Sequence, residues 1–354
     1  MNETLKSLEW FLALPELDKR DVFEAAASRL DTLPSYVEKD LWVCLVLEVL
    51  YNQLPVGHPR LLFKGGTSLS KAFGLIQRFS EDIDLVVYRD DLGFAGADDP
   101  TIAENLSNRA RSDLFGKLSD ACSSYILGDL SDGLTSSINQ IVEGCRVIPD
   151  ENDVDRQSLL IEYSTQYPSG VGSYVAPRVK IEAGARSALD PNLNCTVTPI
   201  LAKELPSRSL EVSNIQVIAP ERTYWEKLLI LHGLHCGYRD QQRLPLDRDR
   251  VSRHYYDVAM ITATESGMSA LSNVSMLAAV RDHNLIAFRQ AWKRFQEAVP
   301  GSLRLVPQSE LRAMIEADYD AMGGMILGEV PTFDWIMAQI EHAEATVNGI
   351  ESRR

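Results

Sequence analysis

Two aspartates two residues apart, Asp82 and Asp84, sit among the strand-forming residues Ile83, Leu85, Val86 and Val87. Strand side chains alternate faces, so both carboxylates point one way while Ile83 and Leu85 point into the core. Neighbouring carboxylates repel, and a divalent cation that neutralises them removes the repulsion. Oxygen ligands this few in number suit Mg²⁺, which keeps several waters and shares substrate phosphates. Just upstream, the apolar run Leu61, Leu62, Phe63 meets Lys64, Gly65, Gly66, Thr67, Ser68 and Leu69. That pattern reads as a strand, a Gly-Gly turn and a helix starting near Thr67. Such a turn leaves backbone N–H groups free to receive phosphate oxygens. The two pieces together describe a site for a metal–nucleotide complex.

The surrounding elements must hold these groups in place. Leu17 to Leu30 reads as a helix with Val22, Phe23 and Leu30 as its apolar stripe. After Leu33-Pro34, Ser35 is placed to cap a second helix from Tyr36 to about Tyr51, with Glu38 completing a capping box. That helix is apolar on most sides after Leu41 and is expected to be buried. Glu38, Lys39 and Asp40 read as its charged first turn, with a direct catalytic role as the alternative. Arg89 to Pro100 reads as a loop. Helices are expected from Ile102 to about Leu127 and from Thr135 to Glu143. The acidic stretch Asp150 to Asp155 lacks the Gly and the distal Glu of a calcium loop, so it reads as a solvated turn.

Strand character returns at Ser158 to Ser164 and at Tyr174 to Ala183. In the second, Arg178, Lys180 and Glu182 share one face while Val179 and Ile181 share the other. An edge strand facing solvent explains this, and so does a strand lying beside Asp82 and Asp84. Short strands follow at Cys195 to Ile200 and Glu211 to Ile218. Pro220 opens a long helix containing Lys227 and His232. An arginine-rich loop (Arg239, Arg243, Arg248, Arg250, Arg253) then leads to His254-Tyr255-Tyr256-Asp257. Further helices are expected at Leu285 to Val299, Glu310 to Met322 and Phe333 to Val347.

At 354 residues the chain suits two domains. Residues 1–220 are assigned to N-terminal helices plus a catalytic core, and residues 221–354 to a mainly helical domain that completes the nucleotide pocket. The net charge is −15, so any nucleic-acid contact needs a local basic patch. The arginine loop is the candidate for an RNA acceptor, although Asp240, Asp247 and Asp249 alternate with its arginines and would leave a self-neutralised loop. The five cysteines are scattered and odd in number, with no Cys-x-x-Cys, which disfavours a disulfide framework and a zinc site. His232, His235 and His254 lack ligand spacing and read as structural residues or RNA contacts. The start of the chain lacks a signal peptide's basic and apolar segments, and no apolar run approaches about 18 residues. No membrane association and a cytoplasmic location are expected.

Lys64 to Lys71, followed by Arg78-Phe79-Ser80-Glu81-Asp82-Ile83-Asp84-Leu85, resembles the DNA polymerase β-like nucleotidyltransferase superfamily. The closer resemblance is to its AbiEii/AbiGii-type toxin branch. Val37 to Trp42, Thr223 to His232 and Ser252 to Val258 extend the resemblance from about Val37 to about Ile261. It implies an α/β fold of the α+β kind, with a mixed-sheet nucleotidyltransferase core, N-terminal helices and a C-terminal helical domain. It implies transfer of NMP from an NTP, with pyrophosphate release, to an acceptor that is the 3′ end of a tRNA, and restraint of the toxin by a cognate antitoxin. It further implies that Asp82, Asp84 and Glu182 bind Mg²⁺, Glu182 being the least secure because the third carboxylate varies among relatives. Lys64, Gly65, Gly66, Thr67, Ser68, Ser80 and Lys180 are then nucleotide-binding. Lys227, a point cation suited to a triphosphate, and Asp257, which orients it or helps to activate the acceptor, line the same pocket. Two other classes compete: nucleotidylation of a protein hydroxyl, and a silent module that senses nucleotide without catalysis.

Overall fold

The computed structural model describes residues 2–167, 176–246 and 250–350. The chain divides into two compact units, one formed by Met1–Ala72 and Phe79–Ile218, the other by Phe73–Arg78 and Ala219–Arg354. The short stretch between the glycine turn and the aspartate strand therefore packs with the C-terminal residues, a division that a single cut at residue 220 does not capture.

The first unit opens with helices α1 (Glu3–Leu12), α2 (Glu16–Leu30) and α3 (Pro34–Glu48). It continues with β1 (Leu61–Lys64), α4 (Gly65–Lys71), β2 (Asp82–Val87), α5 (Asn108–Tyr125) and α6 (Ser131–Ile141). Strands β3 (Arg146–Pro149), β4 (Ser158–Glu162), β5 (Arg178–Gly184), β6 (Asn192–Val197) and β7 (Val212–Ile218) complete it. The seven strands form one mixed sheet in the order β3-β4-β5-β2-β1-β7-β6. β2 is central, antiparallel to β1 and parallel to β5. Ile83 and Leu85 are buried while Asp82 and Asp84 stay partly open, as the alternation requires.

Several expectations change. Helix α3 starts at Pro34, whose fixed φ suits a first turn. Leu33 is its N-cap residue and no side chain caps it, so the capping box at Ser35 and Glu38 does not form. Glu38, Lys39 and Asp40 are buried and not a solvated first turn. The α3 helix ends at Glu48 and passes into a π-helical turn, Val49–Gln53. The helix expected from Ile102 begins only at Asn108, capped by Ser107. Before it, the Asp99 carboxylate accepts from the Thr101 amide (2.8 Å) and hydroxyl (2.7 Å), which holds the backbone in a turn. Asp150 to Asp155 is an exposed turn, as expected, but its two ends are tied down. Asp153 accepts from Ser158 Oγ (2.7 Å) and the Gln157 amide (2.8 Å), and Asp150 reaches Lys180 (3.2 Å).

The second unit contains α7 (Pro220–Gln241), α8 (Ser252–Thr262), α9 (Glu265–Leu271), α10 (Val274–Ala287), α11 (Ser309–Met322) and α12 (Phe333–Asn348). The long helix expected from Leu285 to Val299 is absent. Arg294 takes a left-handed conformation (φ 49°), and two single 3₁₀ turns replace the helix. Residues 73–78 join this unit through Gln77, whose carbonyl accepts from the Leu327 amide (2.7 Å). Among the described residues no helix is long and apolar enough to cross a membrane.

Ile83 lies between the two aspartates with its side chain wholly buried and paired in register with Ile181. Ile83→Ala is expected to cost about 2 to 5 kcal/mol in urea unfolding. A loss below about 1 kcal/mol would mean that this strand is not the centre of the core.

Candidate functional site

In the first unit, β1 ends at Lys64 and the chain turns into α4 at Gly65, where φ is +81°. A Cβ built on Gly65 would lie 1.9 Å from Asp84 Oδ2. Only glycine lets the backbone both take this φ and approach the carboxylate so closely. Thr67, fully buried, donates its hydroxyl to the Asp82 carbonyl and shares a 2.8 Å hydrogen bond with Ser80 Oγ. Ser68 Oγ, also fully buried, donates to the Gly65 carbonyl (2.9 Å). These hydroxyls shape the turn and tie it to the start of β2.

Register places the predicted carboxylates side by side. Lys64 pairs with Asp84, Asp84 with Glu182, and Asp82 with Lys180. Burial pushes the Asp82 carboxyl up to about 6, and the charges of Glu81, Glu182 and Asp84 push it the same way, against the pull of Lys39. Glu182 is turned towards Lys180, with Oε1 2.6 Å from Nζ, and its side chain is 45% exposed. Lys180 also meets Asp150. Lys64 makes no ion pair among the described residues. Among the described residues no three His, Cys, Asp or Glu side chains gather as a metal cage. The donor set is therefore two aspartates that repel each other on one strand face. That set fits a hard divalent cation that keeps waters and takes further oxygens from a substrate.

In the second unit, Asp257 on α8 is completely buried and receives two cations. Arg78 grips it with a fork, Nε to Oδ1 at 2.7 Å and Nη2 to Oδ2 at 2.8 Å, and Lys227 on α7 lies 2.8 Å from Oδ2. Burial works against ionisation of Asp257, but Arg78 and Lys227 outweigh it and hold the carboxyl well below the usual range. Burial also lowers Lys227, with Asp257 opposing. His254 is held well below its ordinary value by burial and then by Lys227 and Arg253, so it is neutral near pH 7. Two cations thus converge on one carboxylate. Arg78 was not among the residues singled out from the sequence. Its signal was a place in the same string as the aspartates, with nothing to say that it pairs 179 residues away.

The arginine loop is mixed. Arg239 is neutralised by Asp240 (2.6 Å) and Glu297 (3.1 Å). Arg243 is exposed and lies over the Trp292 ring at 4.6 Å. Arg250 is exposed, Arg253 is part-buried, and Arg248 lies outside the described residues together with Asp247 and Asp249. His232 and His235 bond main-chain groups (Arg294 and Arg304; Val306) and are structural. The cysteines among the described residues are free thiols.

Two outcomes follow from this geometry. Gly65→Ala should lower both stability and transfer, and the stability loss should be smaller in an Asp84→Ala background, because the carboxylate that the methyl strikes is gone. Equal losses in the two backgrounds, read by thermal unfolding, would remove the close-approach argument. The second concerns pH. An acid whose pKa is raised on folding destabilises the fold once pH exceeds the unfolded value, and fully above the folded one. Metal-free Asp82→Asn should therefore gain on the order of 2 kcal/mol at pH 8 and nothing at pH 4. The same gain at both pH values would contradict the charge repulsion.

Comparison with known proteins agrees with this chemistry. A family model described as nucleotidyl transferase AbiEii toxin, type IV toxin–antitoxin system, matches residues 48–339. No curated protein matches the chain. Among solved structures, MenT4, a nucleotidyltransferase toxin from Mycobacterium tuberculosis H37Rv, aligns at 16% identity with a TM-score of 0.48, over 96% of this chain and 93% of that one. That likeness is too distant to carry weight, and the assignment rests on the family match, which spans most of the chain and includes Gly65, Asp82, Asp84, Lys227 and Asp257. The chain belongs to the AbiEii family of nucleotidyltransferase toxins of type IV toxin–antitoxin systems, and it is a nucleotidyltransferase.

Proposed function

We propose that this nucleotidyltransferase moves a nucleoside monophosphate from an NTP to the 3′ end of a tRNA in the cytoplasm, with Mg²⁺ as its ion. Family membership itself implies an NTP substrate and a cognate antitoxin. The observation that carries the reading is the pair Asp82 and Asp84 on one face of the central strand, with the Gly65 backbone pressed against Asp84.

Asp82 and Asp84 would hold the ion, which would supply positive charge to stabilise the charge developed in the displacement. The acceptor oxygen bonds to the α-phosphorus, the bond to the β-phosphate oxygen breaks, pyrophosphate leaves, and the acceptor proton passes to solvent. Lys64 and the turn at Gly65 and Gly66 receive phosphate oxygens, and Thr67, Ser68 and Ser80 keep that turn in shape. Glu182 is a third carboxylate in register with Asp84 and stands ion-paired to Lys180. In the second unit Asp257 fixes Lys227 and Arg78, and Lys227 is assigned to substrate phosphate. Catalysis on this reading is mostly positioning and charge stabilisation. Arg243, Arg250 and Arg253 are assigned to acceptor phosphates, with Arg248 beside them in the sequence; Arg239 is already neutralised and contributes less.

The test is incubation of the purified protein with each labelled NTP and either bulk tRNA or total protein. Label is expected at tRNA 3′ ends and should vanish with EDTA. Asp82→Ala and Asp84→Ala should lose transfer and stop inhibiting growth when expressed alone. Lys227→Ala should fall about a hundredfold or more, the scale of one preorganised contact to developing charge. Label in protein and not in RNA would replace the tRNA reading with protein nucleotidylation. Transfer that survives loss of either aspartate would end the ion assignment.

A further inference from the structure

Glu38, Lys39 and Asp40 are consecutive on α3, and their side chains are 3%, 3% and 5% exposed as residues. Successive helical residues are about 100° apart, so the three point in three directions over about 200° of the helix. Burial of all three charges in a row is costly unless each is paired. Each is. Glu38 accepts from the Thr165 hydroxyl and the Gln166 amide (2.8 Å). Asp40 binds Lys71 at the end of α4 and the Ile200 amide (2.7 Å). Lys39 binds Glu81 and donates to the Ala176 carbonyl (3.2 Å).

The partners of Lys39 stand just ahead of the two parallel strands that carry Asp82, Asp84 and Glu182. Glu81 immediately precedes Asp82, and Ala176 lies two residues before β5. A carboxylate next to Asp82 is a potential extra ligand. Each carboxylate that joins the ion takes a coordination position from water or from triphosphate oxygens, which Mg²⁺ sites of this kind use beside their carboxylates. The other side of the aspartates has a matching arrangement, in which Glu182 is drawn to Lys180.

We infer that Lys39 is a positioning residue: anchored by the Ala176 carbonyl, it holds the Glu81 carboxylate away from the ion site at Asp82 and Asp84 and so keeps coordination positions open for the nucleotide. This rests on the ion assignment made above. Without Lys39, Glu81 turns to the ion. The apo site then binds a divalent cation more tightly, while the bound ion serves the nucleotide less well. Tighter ion binding with slower transfer is a pairing that a merely weakened fold does not produce.

The test uses full-length wild type, Lys39→Met, Glu81→Gln, the Lys39→Met/Glu81→Gln double variant and Asp84→Ala. Mn²⁺ binding is read by electron paramagnetic resonance without nucleotide, and kcat and KM for NTP are measured in the transfer reaction. Lys39→Met should bind Mn²⁺ about tenfold more tightly, as expected for one added carboxylate at close range, and should lose kcat by at least tenfold with KM for NTP raised. The double variant, which has no carboxylate at position 81 to hold, should return to wild-type Mn²⁺ affinity and recover most of kcat. If Lys39→Met alone does not fold, the double variant still decides, because it buries no unpaired charge: folded, with wild-type Mn²⁺ affinity and most of kcat, it supports the inference, and folded but inactive it overturns it. Unchanged Mn²⁺ affinity in Lys39→Met, or a double variant less than threefold better than that single variant, also overturns it. Asp84→Ala separates the two levels of the argument. If it leaves Mn²⁺ binding intact, the ion assignment itself fails; if it weakens binding while the position 39 variants behave as wild type, only the inference about Lys39 fails.

Discussion

Mutual repulsion among carboxylates is the constraint on which the first unit is arranged. Glu81, Asp82, Asp84 and Glu182 lie on or beside two adjacent parallel strands, and burial raises the free energy of each added negative charge. A fold with no use for this charge would replace it with apolar or neutral residues. Here the sheet keeps it, and spends two lysines on its edges: Lys39 on Glu81 and Lys180 on Glu182. The aspartates at the centre form the pair whose repulsion a cation would remove.

The backbone around that pair is shaped by the same need. Gly65 is where β1 hands over to α4, and its missing side chain is the space that Asp84 occupies. The Thr67 hydroxyl then ties α4 to the Asp82 carbonyl and so joins the glycine turn to the aspartate strand. Stability and chemistry are set against each other at these positions. The aspartate charges cost folding energy at neutral pH, and the buried residues beneath them, Ile83, Leu85, Val179 and Ile181, offset it.

The second unit solves a different electrostatic problem. Asp257 is fully buried, and a lone buried carboxylate would be severely destabilising. Arg78 supplies a planar two-point grip and Lys227 a single point charge, so the carboxylate stays ionised and both cations are fixed. His254, held low first by burial and then by neighbouring cations, stays neutral. Residues 73–78 belong to this unit because Arg78 and the Gln77 carbonyl bind into it.

Much of this was legible in the residues alone. Alternation along Asp82 to Val87 determined which side chains face the core, because a strand has period two whatever its neighbours. The glycine turn, the long helix after Pro220 and the family itself could also be read, since local pattern and an unbroken string of residues carry them. Tertiary structure decided the pairings. Charge on Glu38, Lys39 and Asp40 reads as solvated in a sequence, and only the packing of α3 against segments about 40 to 160 positions away buries it and gives each group a partner. The α5 helix begins at Asn108, where Ser107 caps it, after a separate turn that the Asp99 side chain holds at Thr101. The helix expected across Leu285 to Val299 does not form: α10 already ends at Ala287, and beyond it Arg294 is left-handed, with its side chain drawn to Asp240 (2.8 Å), 54 residues earlier. Arg78 could not be tied to Asp257 from spacing, for ion pairs across 179 residues obey no periodicity. Local propensity and period act over a few residues and are written in the chain, whereas burial and charge pairing depend on which distant segments the fold brings together.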